Sequence, residues 1–258
     1  MQVAQVWRYP VKSMQGERLD ALEVGDERVI GDRAWGVRDS DTGIILTGRT
    51  ARPLLHASAR LDARGVGAPH GECGVRITLP DGRELHSDDE HTDLALSIYV
   101  GRPVHLDHAE AQETGVFEAP IDFADDASQR VQWPSQAGTF NDGNPVHVLT
   151  TASLRGGAAL HPGGDWDVRR FRPNVFIDAD GDDFPEEQWT SVRTGEVELE
   201  VFKRCTRCAM TARSQPGLDD DLEIPRTLAR NRKAKIGVCA RVTAGGTIHA
   251  GADVHVAP

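Results

Sequence analysis

Residues 196–211, EVELEVFKRCTRCAMT, constrain the fold more tightly than any other stretch of this chain. Val197, Leu199 and Val201 alternate with Glu196, Glu198 and Glu200, the two-residue period of a half-buried β-strand. The alternation then gives way to Lys203, Arg204, Cys205, Thr206, Arg207 and Cys208, two thiols among three cations. A cation beside a thiol favours the thiolate, the form that attacks, exchanges or binds metal. The strand is therefore expected to deliver a soft anionic ligand into an electropositive pocket.

Short strands recur on either side of it. Residues 1–8 alternate weakly and end at Pro10, and residues 19–24 form a second strand closed by a Gly25-Asp26 turn. Residues 34–37 and 44–46 read as a hairpin across the polar 39–43 turn, and 54–61 and 75–79 as further strands. Pro80-Asp81-Gly82-Arg83 is a turn, since Pro presets φ and Gly permits φ > 0. Residues 93–100 predict a helix capped by Asp93 and stopped by Gly101, with a strand at 104–106. The polar stretch 109–145 lacks periodicity, and a boundary near Glu118 divides the chain into domains 1–118 and 119–258. The second half restarts with a strand at 146–149 and a short helix that Gly156-Gly157 interrupts. A strand within 169–177 carries Pro173 at its edge or first residue. A helical segment from about 224 to 235 and strands at 238–242 and 254–256 follow. Strands outnumber helices and turn signals are frequent, which predicts a mostly β fold with some helix (α+β), of barrel or sandwich type.

Composition narrows the function classes. The net charge of −11 argues against nucleic acid, which requires a basic face. No apolar run approaches the roughly 18 residues of a membrane helix, and the N-terminus lacks a basic, then apolar, signal pattern. Cys73, Cys205, Cys208 and Cys239 in a chain of 258 residues do not form a disulfide framework. A cytoplasmic, reduced protein without membrane contact is expected. Acids gather in solvated clumps at 87–93, 122–126, 178–187 and 218–223. Against them stand Arg169, Arg170 and Arg172, then Lys203, Arg204 and Arg207, then a basic run over 226–235. The first two clusters are expected to converge on a small anion, although a solvated edge is the plainer account of 169–172. A zinc site would need a second Cys or His pair, and no histidine lies between Cys208 and Cys239. A thioredoxin-like dithiol would need a helix after Cys205, where Pro216-Gly217 and Asp219 to Asp221 soon intervene. Two buried structural cysteines remain the bland alternative.

Four motifs carry a resemblance. Tyr9-Pro10-Val11-Lys12-Ser13, Gly31-Asp32-Arg33-Ala34-Trp35, Phe171-Arg172-Pro173-Asn174 and Arg207-Cys208-Ala209-Met210-Thr211 occur in the order seen in MOSC-domain molybdenum cofactor proteins. The chain resembles, over nearly its whole length, a MOSC N-terminal β-barrel domain followed by a β-barrel MOSC domain, similar to the mitochondrial amidoxime-reducing component and its bacterial relatives. The resemblance implies a molybdenum cofactor (Mo-molybdopterin) whose metal is ligated by Cys208, the catalytic thiol, with Cys205 taking no ligand role. It implies that Lys12, Ser13 and Arg33 hold the pterin and its phosphate from the first domain. Arg172 and Asn174 do so from the second, with Thr206 and Arg207 beside the metal. Asn141, Asp142 and Asn144 fall on a nearby loop, and Cys239 falls where eukaryotic members carry a cofactor-contacting tyrosine. The implied reaction is reduction of small N-hydroxylated compounds (amidoximes, hydroxylamino compounds), with electrons from a separate donor protein, since no iron–sulfur cysteine set follows Val256. A carrier of cofactor or persulfide sulfur at Cys208, and a non-catalytic binder, are the alternatives.

Overall fold

The computed structural model of the chain describes residues 1–62, 74–109, 114–121, 128–181 and 183–258. Cys73 and the acidic run 122–126 lie outside the described residues. The first half contains β1 (Gln2–Arg8), β2 (Glu17–Leu19), β3 (Ala21–Val24), β4 (Trp35–Asp39), β5 (Ser58–Leu61), β6 (Val75–Thr78), β7 (Glu84–His86), α1 (Thr92–Val100), β8 (Val104–His108), β9 (Val116–Pro120) and β10 (Arg130–Pro134). The second contains β11 (Val146–Thr150), α2 (Thr151–Leu160), β12 (Val175–Asp178), β13 (Ser191–Thr194), β14 (Val197–Thr206), α3 (Glu223–Arg232), β15 (Lys235–Ala244), β16 (Gly246–His249) and β17 (His255–Ala257). The fold is mostly β with some helix, as the patterning predicts. Among the described residues no helix is long and apolar enough to cross a membrane.

One eight-stranded sheet dominates, in the order β17-β13-β14-β15-β11-β12-β1-β2. Only β11 and β12 pair in parallel, joined across α2. Thr150 starts that helix by accepting the Ser153 N–H on its hydroxyl at 3.0 Å. The sheet takes β1 and β2 from the N-terminus, so its core mixes Val3, Val6 and Leu22 with Val148, Val175, Leu199 and Val238. The rest of the first half builds a separate core from Val11, Met14, Val37, Leu54, Ile77 and Leu96. The alternation in β14 does what it predicts at its start: Val197 and Leu199 are buried while Glu198 and Glu200 are exposed. Register shifts at Val201/Lys203 and Arg204/Thr206 then twist the strand, and Cys205 turns inward.

Five expectations need correction. The 19–24 strand is two, because β2 pairs with β1 while β3, beyond Asp20, pairs with β16. The 44–46 segment returns beside β4 with a single bridge, Arg38 to Ile45, and the full partner of β4 is β8. Residues 52–56 form a 3-10 turn before β5, with Pro53 in its first turn supplying fixed φ where no N–H is needed. Asp93 does not cap α1; its carboxylate accepts the Leu106 N–H at 2.8 Å and ties the helix to β8. Gly156 and Gly157 do not interrupt α2. A Cβ at either would stand 2.7 Å from the Phe184 ring or 2.4 Å from the Trp166 ring, so both glycines are sites of close aromatic packing.

Candidate functional site

Residues 9–13 and 31–35 run side by side. The Arg33 N–H donates to Tyr9 O (2.8 Å), the Trp35 N–H to Pro10 O (3.0 Å) and the Lys12 N–H to Trp35 O (2.8 Å). On this path Ser13 and Arg33 take φ of 70° and 51°, and Arg172, across the cavity, takes 52°. Left-handed backbone costs a residue with a Cβ roughly 1–2 kcal/mol, and such conformations persist only where the surroundings hold them. Here Tyr9 holds two of them. Its ring lies 4.5 Å from the Arg33 guanidinium and 4.1 Å from that of Arg172, and its hydroxyl donates to Pro173 O at 3.2 Å. Ser13 is held by the Gly48 N–H, which donates to its hydroxyl at 2.9 Å.

These residues open onto a cavity of about 340 Å³ between the two halves. The residues that the resemblance assigns to pterin, phosphate, metal and the nearby loop all line it, Lys12, Ser13 and Arg33; Asn141, Asp142 and Asn144; Arg172 and Asn174; Thr206, Arg207 and Cys208, whereas Cys239 is buried and is not among the lining residues. Their engagements differ. Lys12 lies over the Phe117 ring at 4.4 Å and pairs with Asp142 at 2.8 Å. Asn141 and Asn144 brace their own loop, Asn141 Nδ2 donating to Asn144 O at 2.7 Å and Asn141 Oδ1 accepting the Asn144 N–H at 3.0 Å. Asn174 joins two strands, its Oδ1 accepting the His147 N–H at 3.1 Å and its Nδ2 donating to Trp7 O at 3.3 Å. Of the 169–172 cluster only Arg172 faces the cavity. Arg169 pairs with Asp167, and Arg170 is buried among four carbonyls, those of Asp165, Thr211, Arg213 and Asp219, where it pins the segment that follows Cys208. Of the other cluster Lys203 and Arg207 line the cavity, while Arg204 pairs with Glu187.

The two thiols have different surroundings. Cys208 is exposed at the start of the 3-10 turn Ala209–Ala212, whereas Cys205 is buried. Cys239 lies opposite both His147 and Lys203 on the neighbouring strands, which gathers His147, Cys239 and Cys205 on one patch of the sheet. A hydrogen bond from Cys239, against the opposing effect of burial, and then His147 and Arg207 hold Cys205 well below the ordinary thiol range, while Cys239 is raised by the same hydrogen bond and by burial. The thiol whose ionisation these surroundings favour is thus Cys205, chiefly through the Cys239 hydrogen bond. Arg207 Nη1 donates to its sulfur at 3.0 Å, and Arg207 Nη2 donates to Phe171 O at 2.6 Å.

Charge in the cavity is strongly positive for so acidic a protein. Burial pushes the Lys12 ammonium down to about 8, with Asp142 resisting the shift. Burial and then the Arg33 charge push Arg172 down to about 10. Burial alone would raise the Asp142 carboxyl, but Lys12, Arg49 and Arg33 hold it well below the usual carboxylate range. Several buried polar atoms lack a partner: Arg172 Nη2, Arg207 Nε, Asn144 Oδ1 and His147 Nε2. Two of these are guanidinium donors, and donors without acceptors in a buried site fit an anion that the protein itself does not supply. The sequence reading missed Arg49, Trp133, His147, Phe171 and Met210, which also line the cavity. Phe171 and Met210 lie within two of the quoted motifs, which assigned them no role, whereas nothing local distinguishes the other three; Arg49 and Trp133 meet only in space, the guanidinium 4.7 Å from the ring.

Comparison with known proteins adds a frame to this geometry. A family model described as MOSC N-terminal beta barrel domain matches residues 1–119, and one described as MOSC domain matches residues 135–255. Mitochondrial amidoxime-reducing component 1 of Mus musculus is 26% identical over 256 residues, which cover 89% of this chain and 71% of that protein. The Danio rerio protein of the same name is 31% identical over 230 residues, covering 79% of this chain and 66% of its own length. Molybdenum cofactor sulfurase of Homo sapiens is 22% identical over 268 residues, 91% of this chain but 29% of that protein. The chain therefore spans about two thirds of the amidoxime-reducing components and under a third of the sulfurase.

Proposed function

As a chain that belongs to the family joining a MOSC N-terminal beta barrel domain to a MOSC domain, this protein, we propose, binds a molybdenum cofactor in its cavity and reduces N-hydroxylated compounds there. The observation that carries this reading is the meeting of cations from both halves around an accessible thiol, with buried guanidinium donors left open in an acidic protein.

The residues present suit the group. A pterin phosphate calls for ammonium and guanidinium donors, which Lys12, Arg33 and Arg172 offer. Cys208, exposed on the cavity wall, offers a soft donor for the metal. When bound, the cofactor supplies the two-electron redox chemistry. The chain positions substrate and balances charge. Arg207, fixed between the Cys205 sulfur and the Phe171 carbonyl, keeps a cation beside Cys208. Lys12 Nζ, a cation whose proton is held loosely near neutral pH, stands across the cavity paired with Asp142. Electrons come from a separate donor protein.

The test is protein expressed in a cofactor-competent host, assayed for molybdenum, pterin and turnover of amidoximes with reduced viologen. Loaded protein should turn over with viologen and stay inert with NADH alone; full loading without viologen turnover would refute the reductase reading. The exposure of Cys208 favours one alternative, a carrier that holds sulfane sulfur there, which the same preparation would reveal as bound sulfur without molybdenum.

A further inference from the structure

Cys205, Cys239 and His147 meet on one face of the large sheet, and no step of the proposed reduction uses Cys239 or His147. Cys239 lies on β15 with Lys203 of β14 opposite it on one side and His147 of β11 on the other. The register shift between Arg204 and Thr206 sets Cys205 against two residues of β15, Ile236 and Gly237, the kind of irregularity that re-aims a side chain. Its sulfur thereby accepts a hydrogen bond from the Cys239 thiol and another from the His147 ring, and the Arg207 guanidinium donates to it at 3.0 Å. Gly237 takes φ of 74°, and a Cβ there would stand 2.4 Å from His147 Nε2, so the glycine leaves room for the ring beside the two sulfurs. Sulfurs already in hydrogen-bond contact need only small side-chain rotations to reach the roughly 2.0 Å of an S–S bond.

The two thiols stand in a fixed order. Cys205 and His147 line the cavity, whereas Cys239 is buried and is not among the lining residues. A small hydroperoxide entering the cavity therefore meets Cys205 first and Cys239 behind it. A sulfur beside a cation, with a second thiol poised next to it, is the arrangement that peroxide oxidises to a disulfide. We propose that Cys205 and Cys239 form a peroxide-reactive pair, and that closing it to a disulfide frees the Arg207 charge for an anion in the cavity. Hydrogen peroxide is the oxidant. The Cys205 thiolate attacks one peroxide oxygen, an S–O bond forms as the O–O bond breaks, and the departing hydroxide takes a proton from solvent to become water. The Cys239 sulfur then attacks Cys205, an S–S bond forms as the S–O bond breaks, and the Cys239 proton leaves with that hydroxide as a second water. Two electrons pass from the sulfurs to the peroxide oxygens. In the reduced pair Arg207 faces an anionic sulfur. In the oxidised pair that sulfur is neutral, and the guanidinium keeps only the Phe171 carbonyl, which raises its demand for an anion. The reaction needs no cofactor and stands apart from molybdenum binding.

Peptide mapping of the parent protein tests it. Purified protein, reduced and then freed of reductant, is treated with a slight molar excess of hydrogen peroxide, digested at acid pH and read by mass spectrometry. A peptide linking Cys205 to Cys239 should appear with the loss of two titratable thiols, and dithiothreitol should remove it. Cys208→Ser should form the same link. In Cys239→Ser the reaction should stop at a sulfenic acid on Cys205, captured by dimedone. Arg207→Met should slow the oxidation at least about fivefold, because a thiolate without its neighbouring cation is less populated. Calorimetric titration with inorganic phosphate should show the oxidised protein binding at least about threefold more tightly than the reduced protein, with dithiothreitol restoring the lower affinity. A link between Cys205 and Cys208, oxidation confined to Cys208, or thiols left intact would each overturn the pair. A complete Cys205–Cys239 disulfide with phosphate affinity unchanged would overturn its hold on Arg207.

Discussion

The two walls of the cavity both carry cations but neutralise them differently. On the wall from the first half, Lys12 and Arg49 face Asp142, and Arg33 is closely paired with Asp32. On the wall from the second half, Arg172 Nη1 donates to Met14 O at 2.7 Å, and Arg207 bonds only a carbonyl and the Cys205 sulfur. A buried cation without a carboxylate is costly until an anion arrives. The first wall therefore holds its charges in place, whereas on the second Arg207 is held against the Cys205 sulfur and Arg172 keeps its charge available. Tyr9 spans the two, with one guanidinium from each wall stacked on its ring.

Cys208→Ser on the second wall is the change of largest expected effect. It should remove bound molybdenum and lower viologen-driven turnover by more than about a hundredfold, as loss of a directly coordinating thiolate does. Cys205→Ser should keep the metal and lose only several-fold, because its sulfur positions Arg207; metal content measured on both variants separates the two thiols. Equal loss of metal in both would break that distinction. Next in size, Arg172→Met should weaken inorganic phosphate binding by about 2–4 kcal/mol, against roughly 1 kcal/mol for Lys12→Met, whose charge is already shared with Asp142. A calorimetric ranking in the opposite order would sink the comparison between the walls.

Smaller effects sharpen it. Tyr9→Leu removes both ring contacts and should weaken phosphate binding by about 1–2 kcal/mol, while Tyr9→Phe should retain most of it, since cation–π attraction needs the ring and not the hydroxyl. The smallest expected effect is a pH response. The folded Lys12 ammonium sits at about 8 against an ordinary 10.5, so its charged form is disfavoured by folding. That destabilisation is fully present below about 8 and fades as pH rises toward 10.5, where both states are neutral. Anion binding runs the other way, because it needs the proton: phosphate affinity should fall several-fold as pH passes upward through 8, and Lys12→Met should flatten that step. A profile unchanged in Lys12→Met would assign the step to another group.

Much of this was legible before any contact was known, and the reason is locality. The alternation of Val197 and Leu199 with glutamates, the Gly101 stop of α1 and the Pro80 to Arg83 turn depend on neighbours a few residues away. The four short motifs likewise carry their resemblance in residue order alone, and Lys12, Ser13, Arg33, Arg172, Asn174, Arg207 and Cys208 from them line one cavity. What only the tertiary structure decided depends on residues far apart in sequence. Strand β1 joins the large sheet through β12, some 170 positions later, because pairing is set by hydrogen-bond register in space. Register shifts within β14 turn Cys205 inward and leave Cys208 exposed, although the two thiols sit in one short basic run. The left-handed backbones of Ser13, Arg33 and Arg172 have no sequence signal, since each is imposed by what packs around it. Which cations meet a carboxylate and which do not is likewise a matter of distance, and Coulomb interactions are set by separation through space, whatever the separation along the chain.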